Sequence, residues 1–423
     1  MKSFILMTAC LFAWAARCAD FSITYFDRTN HISWNNIFSN AITTVEVATN
    51  PAGPWRAQKS FYDKGSVDNA SLSPDPTSHF YRLLQVDISG TPQGYTNFLD
   101  SYGTLTTVAG DGAGGIDNVN YWQAGFEGGF ATNASLSRPH IAMADHAGNI
   151  FIADKNSHSI LEVTQDGRIH TVAGTHVPGF DGDGPAPAIS LRLFNPNGLF
   201  VHGDGSYLIL DTGNGKVRRV DTTGTVTTLF TVSGGITTGR GLWATKDDSL
   251  VYFCSGTSVM QWTPTNGVTV VHTNFVDLGN LDVDSTGHLF VTDRGDNHVY
   301  RISNSGNRGV VAGNGNKTGG GDGFAALQTG LWGVRGIWFL PNAGYLLATH
   351  EGSQVWYVDT AGIIHLFVDG QTSAHGGDGQ YFHAPGFKIS QPRQITMTDD
   401  GDLLITENDN GYIRKISFQR LAP

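Results

Sequence analysis

Between residues 193 and 226 four short apolar runs alternate with turn-forming residues. Gly198–Val201 ends at His202-Gly-Asp-Gly, Tyr207–Leu210 at Asp211-Thr-Gly-Asn, Lys216–Val220 at Asp221-Thr-Thr-Gly, and a fourth run begins at Thr225. This pattern predicts a four-stranded antiparallel meander. It recurs at 140–174, 241–273, 280–313 and 336–370, with a three-run copy at 394–418. The runs IAMAD, YLILD, LLATH and LLITE do not alternate apolar with polar, as expected of strands covered on both faces. A meander cannot bury its own faces, but copies stacked around an axis can. The predicted fold class is therefore all-β, a six-bladed β-propeller. The last copy lacks its fourth strand, and Thr104–Gly110 (TLTTVAG) nearly repeats the HTVAG that ends at Gly174. Pairing the two ends of the domain would leave no exposed edge.

The segments NIFIADKNSHSILEV, YLILDTGNGKVRRVD, HLFVTDRGDNHVYRI and LLITENDNGYIRKI, with the connector VAGTHVPGFDGDGPAPAISLRLFNPNG, resemble the NHL-repeat six-bladed propellers over residues 104–418. The resemblance implies the fold more than the function, because members bind proteins, RNA or sugars, or act as enzymes. Related enzymes include zinc-dependent peptidylglycine lyases, with histidines lining the channel, and lactonases that hold a divalent ion.

Ahead of the repeats the pattern changes. Residues 1–19 combine Lys2, the apolar segment FILMTACLFAWAA and small residues, the composition of a secretory signal peptide. Residues 20–90 hold short strand-like runs and resemble a small β-sandwich module from the front of secreted bacterial proteins; 91–103 reads as a linker. Trp34, Trp55, Phe80 and Tyr81 are its candidate sugar-stacking set, or its core. The expected location is secreted, periplasmic or extracellular, with no transmembrane segment. The chain carries a formal charge of −11, and losing Lys2 and Arg17 with the signal leaves −13. A surface that acidic disfavours nucleic acid. Cys254, the sole cysteine beyond the signal, reads as a buried apolar residue.

Candidate chemistry lies on the face formed by the connectors between repeats. The long connectors carry Glu127, Asp183, Asp322 and Asp378, each 13 to 15 residues before an inner strand and each expected to brace a tight turn. Asp181 and Asp183 are the candidates for a calcium ion; no other cofactor is expected. The positions opening the inner strands are His140, Asn197, Arg240, Gly279, Arg335 and Arg393. Three arginines and a histidine around one axis suit an anion, unless the connector acids pair with them. Trp122 and Trp332, with other connector aromatics, offer flat faces to a sugar ring or a peptide side chain. Asp154, Asp211, Asp293 and Glu407, ending second strands, are expected to brace the turn before the third strand. Three functions remain open, one of them a purely structural surface protein whose propeller and front module contact other proteins. Another is a monomeric module binding an anionic saccharide, peptide, metabolite or protein. The third is a metal-dependent lyase or hydrolase at the channel mouth, for which His140, His350 and His383 would have to converge.

Overall fold

The computed structural model describes residues 22–27, 31–63, 67–72, 80–371 and 375–418. The expected signal peptide lies outside them. Six four-stranded antiparallel sheets, numbered I to VI here, carry the repeats. Their first strands are Pro139–Ala144, Pro196–Val201, Leu242–Ala244, Leu278–Val283, Val334–Phe339 and Pro392–Met397. In each sheet the remaining strands follow in order outward, and two sheets gain a fifth strand at the rim, Ala186–Pro187 and Phe324–Ala325. Sheet VI takes its fourth strand from the other end of the domain, where Tyr102–Ala109 pairs with Tyr412–Phe418.

The first strands pack one against the next in cyclic order, sheet VI returning to sheet I. Space dictates this arrangement. A Cβ added at Gly198 would lie 2.6 Å from the Arg240 carbonyl oxygen, at Gly241 2.9 Å from Leu281 N, and at Gly279 2.7 Å from the Arg335 carbonyl oxygen. Side chains stitch the joints between sheets IV and V, V and VI, and VI and I. Thr292 Oγ1 donates to the Arg335 carbonyl (2.7 Å), Gln394 Nε2 to that of Ile337 (3.1 Å), and Thr396 Oγ1 and Asn408 Nδ2 to those of Ala142 (2.7 Å) and Pro139 (2.8 Å). Between sheets lie apolar clusters such as Leu208, Leu210, Val217, Val251 and Phe253, all buried.

The N-terminal module is two three-stranded sheets, Ile23–Phe26 with His31–Asn35 and Val67–Ser71, and Arg56–Tyr62 with Ala41–Ala48 and Phe80–Asp87. Trp34 is in its core with Ile32, Val45 and Leu83, so it is not a stacking surface; Trp55 lies under the Arg82 guanidinium at 4.6 Å. Residues 91–103 are not a free tether. Thr91 caps a helix, Pro92–Leu99, by accepting from Gly94 N at 3.0 Å, with proline in the first turn. The helix buries Phe98 against Tyr357, ring centroids 4.2 Å apart, and the following Tyr102 hydrogen-bonds Tyr62 of the module at 2.7 Å. Cys254 is buried, and that burial pushes its thiol up to about 12.

Overpacking at the inner strands is testable. Gly279→Ala and Gly336→Ala should each lower unfolding free energy by about 1–3 kcal/mol, whereas Gly125→Ala, with nothing within 4 Å of its added Cβ, should leave it unchanged. Equal urea midpoints for all three variants would contradict the packing argument.

Candidate functional site

The inner strands open on irregular backbone. The ladder between first and second strands skips a residue between Pro139 and Ile141, Pro196 and Gly198, Val334 and Gly336, and Pro392 and Gln394. The residues left over are His140, Asn197, Arg335 and Arg393. A bulge re-aims the side chain of its extra residue, so the same local defect turns these groups off the sheet. Two residues before five of the six openers the backbone is left-handed, at Arg138, Asn195, Thr238, Gly333 and Gln391; Gly279 is the exception. Side chains are rare in that conformation, and its recurrence shows that the same entry geometry is built at five of the six inner strands. Glycine is needed at 333 because a Cβ there would sit 1.6 Å from Glu351 Oε2.

The predicted openers converge. His140, Arg335 and Arg393 are 5, 4 and 7% exposed, yet His140 Nδ1 and Nε2, Arg335 Nε and Nη1, Arg393 Nε, Arg240 Nε and Asn197 Oδ1 are all buried without a hydrogen-bond partner. Such atoms are rare in folded proteins and call for an explanation. Burial comes first in lowering the arginines, and their mutual repulsion adds to it: Arg240 is brought to about 10, Arg335 to about 9, and Arg393 well below its ordinary value.

Neutralisation comes from acids outside the predicted series. Arg335 Nη2 reaches Glu351 Oε1 at 3.3 Å, and Arg294 Nη1 reaches the same oxygen at 3.0 Å. Asp277 lies between Arg294 and Arg240, and Asp409 between Arg138 and Arg393. His350 is buried 3.6 Å from both Glu351 and Asp409, too far for hydrogen bonds. Burial alone would raise Glu351, but His350, Arg335 and Arg294 outweigh it and hold it at about 2. Asp117 pairs with Lys155 at 3.0 Å and approaches Arg138 at 3.7 Å. Arg138, Lys155, Arg240, Arg294, Arg335 and Arg393 thus face Asp117, Asp277, Glu351 and Asp409, leaving an excess of two positive charges.

The connector acids are not the arginines' partners. Each grips the fourth strand of the sheet it precedes: Glu127 accepts from Thr171, Asp183 from Thr228, Asp322 from Leu366 N and Asp378 from Thr107. Asp181 is engaged by Arg192, and Asp183 also by Lys216. The acids ending second strands brace the chain entering the first strand: Asp154 accepts from Ser137 N, Asp211 from Phe194 N, Asp293 from Val276 N and Glu407 from Ser390 N, at 2.7–3.0 Å. Two of them also brace the turn before the third strand, as expected, Asp211 accepting from Asn214 Nδ2 at 2.8 Å and Asp293 from Gly295 N at 3.1 Å.

Trp122 stacks on His176, centroids 4.7 Å apart, and Trp332 is 40% exposed beneath Lys317; neither has a contact with the arginines. Gly279 supplies no side chain. His383 Nδ1 donates to the Phe367 carbonyl (2.9 Å), on the fourth strand of sheet V rather than at an inner strand. Among the described residues no three His, Cys, Asp or Glu side chains are placed to hold a metal ion, so the three-histidine arrangement is not formed. Beside the axis lies a cavity of about 500 Å³ that includes Lys155, Asn195, Asn197, Thr212, Asn214 and Thr238.

No family model and no curated protein matches the chain. Solved structures do match. One is a structural genomics protein of unknown function from Bacteroides thetaiotaomicron, at TM-score 0.60 and 13% identity over 96% of this chain and 100% of that one. Another is an auxiliary nutrient binding protein from Bacteroides ovatus, at 0.55 and 12% over 92% and 94%. A third is an auxiliary nutrient binding protein from Bacteroides thetaiotaomicron, at 0.55 and 14% over 94% and 97%. The likeness is one of fold: all-β, built of small antiparallel sheets in a propeller-like arrangement. No helix among the described residues is long and apolar enough to cross a membrane.

The buried histidines give the site a pH signature. Burial, then Arg393 and Arg240, hold His140 well below the ordinary 6.5; burial also lowers His350, against the pull of Asp409 and Glu351. Below 6.5 the unfolded chain therefore binds protons that the folded protein refuses, and stability rises with pH across that window. From about pH 7 to about pH 5 unfolding free energy should fall by up to about 1.4 kcal/mol per unit per histidine. His140→Gln should flatten a urea-denaturation profile over this range; an unchanged profile would mean that His140 titrates as it does in water.

Proposed function

We propose that the protein is a secreted-type binding protein in which residues 104–418 are an NHL-like six-bladed propeller, residues 20–90 an accessory β-module, and the axial arginines the seat of an anionic ligand. One observation carries the reading. Arg240, Arg335 and Arg393, from three sheets, bring buried guanidinium nitrogens without partners into one place where the nearby carboxylates do not cancel the charge. Buried cations repel one another and have lost their hydration, so the arrangement stores unfavourable energy that a bound anion would relieve. A carboxylate matches the guanidinium fork, and two or three forks fix its orientation.

Sulfate or a small polycarboxylate should raise the melting temperature more than chloride at matched ionic strength, because a ligand that binds only the folded protein stabilises it by mass action. The Arg335→Ala, Arg393→Ala double variant should lose most of that response. Losing one such buried charge partner is worth about 2–5 kcal/mol of binding. Exposed Arg168 provides the control; Arg218, buried against Asp211 at 3.1 Å, would unsettle the sheet itself. An identical anion response in wild type and the double variant would refute the reading.

A further inference from the structure

We infer that the axial site takes a uronate residue of an acidic saccharide, its carboxylate on Arg240, Arg335 and Arg393 and its hydroxyls on the acceptors around them. The inference rests on the anion reading and narrows it.

The unpartnered atoms are of two kinds. Arg240 Nε, Arg335 Nε and Nη1 and Arg393 Nε can only donate. Glu351 Oε2 and Asn197 Oδ1 can only accept, and they too are buried without a hydrogen-bond partner. His140 and His350, each with both ring nitrogens unpaired, can do one with each nitrogen when neutral. Sulfate, or a carboxylate without hydroxyls, brings acceptors alone and would leave the acceptor half of the site unsatisfied. A ligand that pairs the whole set must carry an anionic group and hydroxyl donors on one compact frame. Sugar acids have that combination. The local excess of two positive charges fits one or two carboxylates.

Asn197 extends the argument beyond a single ring. It opens an inner strand and also lines the cavity of about 500 Å³, whose other polar side chains include Lys155, Asn195, Asn214 and Thr238. The cavity's volume is within the range of sites that hold a small organic ligand, and its open, polar lining suits a hydroxyl-rich one. Lys155 and the asparagines suit a second sugar residue, joined through the edge that Asn197 touches. The axis would then read the acid and the cavity the neighbour.

The test is calorimetry on the full chain with glucuronate, galacturonate, a diuronide, glucose, acetate and sulfate. The uronates should bind at least about tenfold more tightly than acetate, the effect of pairing one more buried polar group. The diuronide should gain a further factor of about ten, and glucose should show no heat. Asn197→Ala should lower diuronide affinity about tenfold and leave the sulfate response intact. Sulfate binding with uronates no tighter than acetate would overturn the saccharide assignment and leave the anion reading standing. Absence of binding by sulfate and uronates alike would overturn both, and glucose binding as well as glucuronate would overturn the role of the arginines. The ligand series uses the unaltered chain, so its outcome does not depend on how the variant folds.

Discussion

Everything in the repeat domain depends on how closely six inner strands approach one another. Gly198, Gly241, Gly279 and Gly336 stand where a methyl group would meet the neighbouring strand. In sheets IV and VI the residue after the opener is an amide that bonds at the centre: Asn280 Nδ2 and Gln394 Oε1 are 3.2 Å apart, and Gln394 also accepts from Ile337 N of the adjacent strand. A cycle this tight leaves no room for a residue to stay in register and also face the centre. The bulges at His140, Asn197, Arg335 and Arg393 resolve that conflict, and they make the centre polar as a consequence. The same closeness strips water from the guanidinium groups, which is why their charge is so poorly tolerated there.

A chain with excess acid could have neutralised its arginines, and the reason it does not is architectural. Two series of carboxylates are committed elsewhere. The connector acids are spent on the fourth strands, where they hold long loops to the rim, and Asp154, Asp211, Asp293 and Glu407 on backbone N–H groups at the strand openings. Arg218 and Arg414 are buried beside Asp211 and Glu407 and complete those braces. Among the described residues, Asp117, Asp277, Glu351 and Asp409 are the acids that pair with the cations of the centre. Rigid loops and a partly compensated charge therefore come from one allocation of acidic residues, and preorganised donors of this kind bind without reorganising.

Much of this was legible in the repeats. The meander, the strand donated by Tyr102–Ala109 and the openers all follow from aligning copies. Of the second half of the site only His350 emerged, and as a candidate metal ligand, because residues in the loops after the second strands read as turns. Once the copies are superposed on the brace position, they fall into place: Lys155, Arg294 and His350 are one residue beyond it, Glu351 and Asp409 two. The helix at Pro92–Leu99 was missed for a different reason. Its Thr-Pro start and the spacing of Tyr95, Phe98 and Leu99 are helical signals, but eight residues between glycine-containing segments resemble a tether until their apolar face has a partner. Trp122 was misplaced because aromatic content in a connector does not reveal that a histidine from the next loop will cover it.

Three residues past each opener the character of the centre reverses. There stand Met143, Phe200, Trp243, Asp282, Trp338 and Thr396, mostly apolar where the openers are mostly polar. Trp338 packs against clusters from opposite sides of the cycle, one with Leu346 and Ile395 and the other with Leu199 and Ile209. Its end of the centre is also the end on which the module sits, for Asn40 and Asp63 share a cleft with Trp338, Leu340 and Met397, and Lys59 pairs with Asp400 at 2.6 Å. An ion crossing the apolar end would shed its water with nothing to replace it. Guanidinium groups at the connector end would replace part of that water. The polarity of the centre thus runs one way, and the anion proposed above would approach from the side of the long loops.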